Sequence, residues 1–368
     1  MKLKKWLLGE VLDNYDYLRK PLSSMQRTSF KGIYPYYGAQ GIIDYVADYK
    51  CDGEYLLIAE DGENLSSRNA PIAQIAKGKY WVNNHAHIVK NNSHSDLHYI
   101  CYLLNNLDIA GYVTGSAQPK LSQGNLNKIK IALPSLPTQQ KIASILSTYD
   151  RLIENNTRRI RLLEQMAENL YKEWFVRFRF PEHEKVEMVN GLPKGWKVEK
   201  LGEYANISTG KCNREDAEED GIYPLFDRSQ EIKKSSKWIK DCEAIIVPGE
   251  GTSFIPRYYK GKFNLHQRCY CIEPTIKDIG FYLFYSIMLN RKYFLSVATG
   301  ATVPSLRQNN FTKMKLVIAE LELVKKYNKI ASTIALQIDR LKEQKTLLTH
   351  QRDLLLPRLM SGKLEVKS

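Results

Sequence analysis

Residues 114–131 read TGSAQPKLSQGNLNKIKI, and residues 299–316 read TGATVPSLRQNNFTKMKL. The two stretches are identical at eight of eighteen aligned positions, and each matched position in the second lies 185 residues after its counterpart. Internal repeats define architecture, so they are the first feature to establish in a sequence. This chain contains the same polar loop, followed by the same short apolar segment, twice.

The duplication extends over nearly the whole chain. LLGEVLD at 7–13 matches KLGEYAN at 200–206, KGKYWVNNHAH matches KGKFNLHQR, and KIASIL at 141–146 matches KIASTI at 329–334. A chain of 368 residues exceeds a comfortable single core. Two copies of one unit therefore predict two domains, and two copies are too few for a solenoid.

Each repeat begins with an irregular body. Short apolar stretches such as 55–60 and 244–248 alternate with clusters of Gly, Asn, Asp and Ser, a pattern typical of strands and turns. Helical stretches such as 97–107 and 280–290 interrupt them. The bodies are therefore predicted to be α+β.

A long helix is predicted after the first body, because apolar residues recur at alternating spacings of four and three. Its seam residues are Ile142, Leu146, Tyr149, Ile153, Asn156, Ile160, Leu163, Ala167, Leu170 and Trp174. Some 40 helical residues would extend roughly 60 Å, which requires a partner helix. Asn156 would either fix the register of that pairing or simply meet a polar neighbour or water.

The C-terminal segment supplies the partner helix, on a less regular stripe that Lys345 and Arg352 interrupt. The stripe contains Tyr327, Ile330, Ile334, Ile338, Leu341, Leu348 and Leu355. The predicted fold is α+β, with two pseudo-symmetric bodies separated by two long helices that pack as an antiparallel coiled coil. The predicted bounds are 1–135 and 181–320 for the bodies and 136–180 and 321–368 for the helices.

Composition limits the classes of function. The formal charge of +14 is dispersed along the chain, which fits a surface laid along a polyanion, although a merely basic soluble protein would look the same. No apolar run approaches the roughly 20 residues of a membrane span, and the start lacks a signal sequence, so a cytoplasmic location is expected. The six cysteines have no CxxC spacing and are expected to be reduced and mostly buried.

Catalytic motifs are missing from the sequence. A DNA methyltransferase would need an Asn/Asp-Pro-Pro-aromatic motif, and the chain contains no Pro-Pro pair. The P-loop pattern is not met around Gly210-Lys211, where Ala205 stands in place of the first glycine and Cys212 in place of Ser or Thr. We therefore expect no cofactor and no catalytic residue in this chain.

One cluster raises a metal hypothesis. Four of the seven histidines, namely His85, His87, His94 and His98, fall within fourteen residues. A strand would direct His85 and His87 to one face, as a chelating pair requires. The second repeat has His266-Gln267-Arg268 instead, so a metal needed by both repeats is not expected.

These features together resemble the DNA-specificity subunit of Type I restriction-modification enzymes. The resemblance covers both halves and rests on YPYYGAQGIIDYV (34–46), EDGENL (60–65), YWVNNHAHIV (80–89), the repeated loop, LPSLPTQQKIASILSTYDRLIE (133–154) and LLLPRLMSGKLEV (354–366). The second helix departs from the usual pattern, since AELELVKKYNKIAS (319–332) lacks a Pro-rich entry.

The resemblance implies a division of labour. Each body would be a target recognition domain for one half of a split DNA site, and the helices would set the spacer between the half-sites. Two methylation subunits would dock on the helices and use S-adenosylmethionine, and restriction subunits would cleave DNA with ATP and magnesium. The repeated loop would then occur twice because DNA is read twice.

The residue types that read bases and phosphates indicate candidate contacts. In the first body they are Lys77, Lys79, Tyr80, Asn83, Asn84, His85, Ser116, Gln118 and Lys120. In the second body they are Arg257, Tyr258, Lys260, Lys262, His266, Gln267, Arg268, Thr302, Ser305 and Arg307.

Two alternatives remain open at this stage. The histidine cluster could make the chain a metal-dependent nuclease. The helices could make it a coiled-coil adaptor without sequence specificity, although duplicated basic loops would then have no evident purpose.

Overall fold

The computed structural model describes residues 2–115 and 117–366. The chain folds into two compact units. Unit 1 combines Met1–Asn156 with Gln344–Ser368, and unit 2 is Thr157–Glu343. In this division each long helix contributes one part of its length to unit 1 and the other part to unit 2.

Among its described residues, unit 1 contains ten strands, five short α-helices and the first part of a sixth, long α-helix. The strands are β1 Lys4–Leu7, β2 Leu12–Asn14, β3 Lys31–Gly38, β4 Gly41–Val46, β5 Cys51–Asp52, β6 Tyr55–Ala59, β7 Ala73–Ala76, β8 Lys79–Val82, β9 Ala86–Asn91 and β10 Lys130–Leu133. The helices are α1 Leu8–Val11, α2 Ser24–Ser29, α3 Asn64–Ser67, α4 Leu97–Asn106, α5 Gln123–Asn127 and α6 Leu136–Tyr171.

Three sheets form the body of unit 1. Their strand orders are β1-β10, β2-β9-β6-β7 and β4-β3-β8-β5. All neighbours are antiparallel except β3 and β8, which are parallel. The residues of β6 are buried on both faces, which explains its continuous apolar sequence.

Unit 2 repeats this arrangement with ten strands of its own. They are β11 Met188–Val189, β12 Leu192–Pro193, β13 Lys197–Lys200, β14 Ala205–Thr209, β15 Tyr223–Phe226, β16 Lys233–Ser235, β17 Lys240–Pro248, β18 Arg257–Leu265, β19 Cys269–Pro274 and β20 Lys315–Ile318. A π-helix at Lys172–Val176 follows α6, and the α-helices of this part of the chain are α7 Gly280–Leu289, α8 Lys292–Val297, α9 Gln308–Thr312 and α10 Leu321–Met360.

The sheets of unit 2 match those of unit 1 in connectivity. The pair β13-β20 corresponds to β1-β10, and the order β14-β19-β17 corresponds to β2-β9-β6. The parallel pairing of β15 with β18 corresponds to that of β3 with β8. The α+β prediction and the internal repeat are both confirmed.

The long strands β17 and β18 of unit 2 correspond to interrupted strands in unit 1. There, Gly53 separates β5 from β6 and Gly78 separates β7 from β8. Both glycines have positive φ, at 133° and 78°, and the Gly53 N–H donates to the Gly78 carbonyl at 3.0 Å. Glycine tolerates this backbone, which breaks the ladder and splits one sheet into two.

Segments of α6 and α10 pack together in both units. In unit 1, Arg352 donates to Asp150 at 2.7 Å, and Leu359 joins the core around Ile142 and Leu146. The pairing is antiparallel, because residues later in α10 meet residues earlier in α6.

In unit 2 the same antiparallel direction holds. Tyr327 donates to the Ala167 carbonyl and contacts Trp174 edge to face, whereas Ile334 and Ile338 cluster with Ala167 and Ile160. The predicted antiparallel packing is therefore observed within each unit.

The predicted seam agrees with the observed burial, with one exception. The seam residues that are buried are Ile142, Leu146, Asn156, Ala167, Trp174, Tyr327, Ile334, Ile338 and Leu341. Those that are half-buried are Tyr149, Ile153, Ile160, Leu163, Leu170, Leu348 and Leu355. Ile330 was wrongly placed on the seam, since its side chain is 40% exposed and Ala331 is buried instead.

Within residues 2–115 and 117–366, none of the helices is both long and apolar enough to cross a bilayer. All six cysteines are free thiols, four of them buried and two half-buried.

Candidate nucleic-acid interface

The repeated loop of unit 1, residues 114–121, is closed at its base by two backbone hydrogen bonds. The Thr114 N–H donates to the Lys120 carbonyl at 2.8 Å, and the Lys120 N–H donates back at 2.7 Å. Gly115 has φ of 85°, and a Cβ added there would lie 2.4 Å from the Gln118 carbonyl oxygen. Only glycine fits, which explains why this residue is repeated.

This loop is fastened to the turn that follows β6, residues 60–62, which we call acidic turn 1. The Leu121 N–H donates to the Glu60 carbonyl at 2.7 Å, and the Gly62 N–H donates to the Pro119 carbonyl at 3.2 Å. Residues 119–121 of the loop are therefore held at the end of a buried strand.

The repeated loop of unit 2, residues 299–306, is held in the same way. Thr299 and Ser305 exchange backbone hydrogen bonds of 2.9 and 2.7 Å, and Gly300 has φ of 112°. The loop is fastened to residues 249–251, which follow β17 and which we call acidic turn 2. The Leu306 N–H donates to the Gly249 carbonyl at 2.8 Å, and the Gly251 N–H donates to the Pro304 carbonyl at 3.0 Å.

Acidic turn 1 carries two carboxylates that pair with basic side chains. Glu60 accepts hydrogen bonds from Arg19 and, at 3.2 Å, from Lys120. Burial acts to raise the pKa of Glu60, but these two cations and the nearby His87 outweigh it and hold that pKa below its usual value. Asp61 lies 2.7 Å from Nδ1 of His85, whose ring is exposed.

His87 links the loop of unit 1 to the Asp16 carboxylate. Its ring is buried, with Nδ1 2.7 Å from the Asp16 carboxylate and Nε2 2.9 Å from the Leu121 carbonyl. Each ring nitrogen therefore lies within hydrogen-bond distance of an acceptor oxygen. Burial acts to raise the pKa of Asp16, but hydrogen bonds from His87 and the Ile88 N–H hold it below its usual value.

Acidic turn 2 holds two arginines with one carboxylate. Glu250 Oε2 lies 2.5 Å from Nη1 of Arg228, and Oε1 lies 2.9 Å from Nη1 of Arg268. The carboxylate is 15% exposed, whereas the two arginine side chains are 47% and 60% exposed. Two cationic groups therefore lie side by side next to the repeated loop.

Arg228 is a residue that sequence reasoning missed. It follows Asp227, whose side chain is buried and lies 2.6 Å from Lys233. Burial acts to raise the pKa of Asp227, but hydrogen bonds from Lys233 and Ser229 hold it at about 2. A signal in the sequence was the Asp-Arg-Ser run of a polar turn that matches Gly38-Ala39-Gln40 of the first repeat.

Two predicted contacts prove to be internal hydrogen-bond acceptors. Asn83 is buried and its Oδ1 accepts the His85 N–H at 2.8 Å; His266 is buried and its Nδ1 accepts the Arg268 N–H at 3.0 Å. Burial, then the charge of Arg228, lower the pKa of His266. In this structure neither side chain is exposed for contact with DNA, and each orients the residue two positions later.

Two predicted tyrosine contacts also belong to the interior. Tyr80 is fully buried in a cluster under β8, which contradicts its assignment to the surface. Tyr258 is half-buried, stacks on Phe281 with ring centroids 3.9 Å apart, and donates to Glu243 at 2.6 Å. Burial raises the pKa of both hydroxyls above the usual value. Alternation along a strand, which turns Lys79 outward, turns Tyr80 inward.

The other candidates divide by exposure. The exposed ones are Lys77, Lys79, Asn84, His85, Gln118, Lys120, Lys260, Lys262, Gln267, Arg268, Thr302 and Arg307. Ser305 is half-buried in the loop base, and Arg257 is half-buried with its guanidinium on the carbonyls of Asp227 and Ser229. Ser116 lies outside the described residues.

The four clustered histidines do not converge on one point. His85 pairs with Asp61, His87 with Asp16, and His98 with Glu54 at 2.8 Å, whereas His94 stacks on Trp6. His85 precedes β9 and is exposed, so the expected chelating pair with buried His87 does not form.

One group of three potential metal ligands lies elsewhere in the described residues. Ligand atoms of Cys242, Cys271 and Glu273 lie within 4.8 Å of one another in the sheet of unit 2. Glu273 also lies 3.5 Å from Lys240. The group contains none of the clustered histidines.

Comparisons with known proteins agree with this arrangement. Residues 4–165 and 193–350 match the model of the Type I restriction modification DNA specificity domain. A Methanocaldococcus jannaschii protein, the Type I restriction enzyme MjaIX specificity subunit, is 26% identical over 98% of this chain and 87% of its own length. The Escherichia coli Type I restriction enzyme EcoDI specificity subunit is 31% identical over 47% of this chain and 39% of its own length.

The fold also matches a solved structure. The crystal structure of the Type-I restriction-modification system S subunit from M. genitalium superposes with a TM-score of 0.73 at 17% identity, covering 98% of this chain and 96% of that chain. That likeness establishes the fold, and the family match covers most of both units. The chain therefore belongs to the Type I restriction modification DNA specificity domain family, with two copies of the domain.

Proposed function

We propose that this chain is the non-catalytic, DNA-reading subunit of a Type I restriction-modification complex. Each unit reads one half of a split DNA site, and the long helices set the spacer between the half-sites. The observation that carries the proposal is the same fastened loop in both units, bordered in each by exposed cations. Such cations suit phosphates and base edges, whereas the fixed loops supply the directional contacts that sequence reading needs.

The partners follow from the same proposal. Two methylation subunits dock on the paired helices and methylate adenine with S-adenosylmethionine, and restriction subunits join through the complex with ATP and magnesium. This chain itself contributes binding and no cofactor. Because the cations are spread over both units, affinity for DNA should fall steeply with rising salt.

Neither alternative function gains support from a specific observation. For the nuclease, the four histidines are engaged by four different partners. For an adaptor without sequence specificity, two glycine loops held by matching hydrogen bonds beside exposed cations would be unused. A cleavage assay on the purified chain without partner subunits separates the nuclease from the DNA-reading subunit.

The decisive experiment is single-molecule methylation mapping of DNA from cells that express the neighbouring methylation subunit with and without this chain. We expect a split, adenine-methylated motif only when this chain is present. If both subunits fold and associate and no new motif appears, the proposal is wrong. A chain with Gly115→Ala and Gly300→Ala is the matched control, because it should associate with the methylation subunit and lose the motif.

A further inference from the structure

The two acidic turns place carboxylates at a surface that is proposed to bind DNA. Asp61 and Glu250 occupy matching positions, each two residues after the last residue of a central buried strand of its unit. Each is followed by a glycine whose N–H donates to the proline of the repeated loop, Gly62 to Pro119 and Gly251 to Pro304. A carboxylate at this place weakens the general electrostatic attraction to DNA phosphates. Its presence in both units therefore indicates another role.

The partners of these carboxylates also match. Asp61 pairs with His85 at 2.7 Å, and Glu250 pairs with Arg268 at 2.9 Å. His85 and Arg268 stand at equivalent positions, since each follows by two residues the side chain that accepts its N–H, namely Asn83 or His266. Each of these two basic side chains is thus held by a hydrogen bond from its own N–H and by a carboxylate at its far end.

Stability does not explain the arrangement. Exposed ion pairs contribute little to stability, because solvent screens them and ordering long side chains has an entropic cost. Arg228 and Arg268 are about half exposed or more, so their pairing with Glu250 falls in this class. Holding their side chains in one orientation before binding lowers the entropic cost of forming directional hydrogen bonds.

The orientation of a cationic side chain matters for hydrogen bonds to base edges and much less for contacts with phosphates. A guanidinium reads guanine through two hydrogen bonds of fixed geometry, to O6 and N7, whereas a phosphate accepts a cation from many directions. In unit 2, one carboxylate holds two guanidinium groups side by side and leaves about half of each arginine side chain exposed.

We propose that Glu250 is a positioning residue that orients Arg228 and Arg268 toward a guanine edge in the half-site of unit 2, and that Asp61 positions His85 in the same way in unit 1. This proposal rests on the proposed DNA-reading function. It adds that the two carboxylates set base discrimination and do not contribute to affinity for DNA in general.

The test uses the full complex with the methylation subunit and two isosteric variants, Glu250→Gln and Asp61→Asn. Binding is measured at one salt concentration to the split site, to duplexes with either half-site altered, and to an unrelated duplex. We expect Glu250→Gln to weaken binding to the split site about tenfold or more, with affinity for the unrelated duplex unchanged or higher. Asp61→Asn should produce the same pattern for the other half-site, so each variant is the control for the other.

Three results would overturn the proposal: Glu250→Gln keeps the discrimination of the wild type, or loses it equally at both half-sites, or raises affinity for all duplexes in parallel. If thermal melting shows that Glu250→Gln is unfolded, Arg228→Ala replaces it, because that exposed side chain can be removed without disturbing a core; retained discrimination in Arg228→Ala would then refute the proposal. Failure of the proposed function is distinguishable, since the wild-type complex would then bind no split site.

Discussion

Arg268 and Lys260 are exposed cations of the same unit that differ in how they are held. Arg268 is held by its ion pair with Glu250 and by the hydrogen bond that its N–H donates to His266, whereas Lys260 extends from β18. We expect Arg268→Ala to cost roughly 1–3 kcal/mol of binding free energy on one half-site, because a directional base contact is lost. The measurement is binding of the complex to duplexes altered in one half-site at a time.

Lys260→Ala is the matched comparison. It should weaken binding to every sequence alike and reduce the dependence of the binding constant on salt, because a phosphate contact is lost. Loss of binding on every duplex in the Arg268 variant as well would show that Arg268 is a phosphate contact and not a base contact.

His266 predicts a pH dependence for the stability of unit 2. Burial, Arg228 and Arg268 lower its pKa below the usual 6.5, against the opposing charges of Asp227 and Glu250. The unfolded chain then binds more protons than the folded one just below pH 6.5, so this contribution to stability is present above that pH and is lost as the pH falls. Urea denaturation monitored at several pH values between 5 and 8 measures it.

The control variant is His266→Asn, which copies the acceptor that Asn83 provides in unit 1. His266→Asn should still accept the hydrogen bond from the Arg268 N–H and should reduce the pH dependence of stability in this range. An unchanged pH dependence in His266→Asn would assign the titration to another group.

At the scale of elements, the repeated loops depend on their glycines. A Cβ at Gly115 or Gly300 would lie 2.4 or 2.6 Å from a carbonyl oxygen, and both residues have positive φ. We expect Gly115→Ala to abolish reading of one half-site and Gly300→Ala that of the other, because each loop must leave its position. Gly124→Ala is the control, since nothing lies within 4 Å of that Cβ in α5, and methylation mapping should show an unchanged motif.

The pairing of α6 with α10 in unit 1 depends on a few buried side chains. Leu146 is fully buried in the main core of that unit, whereas Leu152, which comes later on the same helix, is 44% exposed. Leu146→Ala should reduce the free energy of unfolding by about 2–5 kcal/mol through lost burial and a residual cavity. Leu152→Ala should change it little, and chemical denaturation of the two variants compares them directly; equal losses would contradict the assigned seam.

At the scale of the whole molecule, the long helices carry the proposed spacing function. The boundary between the compact units falls after Asn156 in α6 and after Glu343 in α10. Four residues inserted at both places lengthen each helix by about 6 Å. We expect the spacer of the methylated motif to grow by about two base pairs, given a rise of about 3.4 Å per base pair. An unchanged spacer in methylation mapping would contradict the role of the helices.

Much of this fold was readable from the sequence, because repetition and periodicity are local properties. The repeat predicted two equivalent α+β bodies, and the spacings of four and three predicted α6 and its buried seam. Ile330 was wrongly predicted to lie on the seam, because the less regular apolar stripe allows either Ile330 or Ala331 to be buried. The packing of the folded chain buries Ala331 and leaves Ile330 exposed. The division of each helix between two compact units could not be predicted, since it depends on contacts between residues far apart in the chain.

The sequence by itself determined the duplication, the element types, the missing catalytic motifs and the basic character of the protein. Only the tertiary structure decided which polar side chains face outward. Tyr80 and Lys79 are neighbours in the chain but lie on opposite faces of a strand. His266 accepts a hydrogen bond from the Arg268 N–H because its ring is buried beside that group. Arg228 gained its place through Glu250, a residue of another strand end. Such partners come together only when the sheet forms, so no local pattern in the sequence could have revealed them.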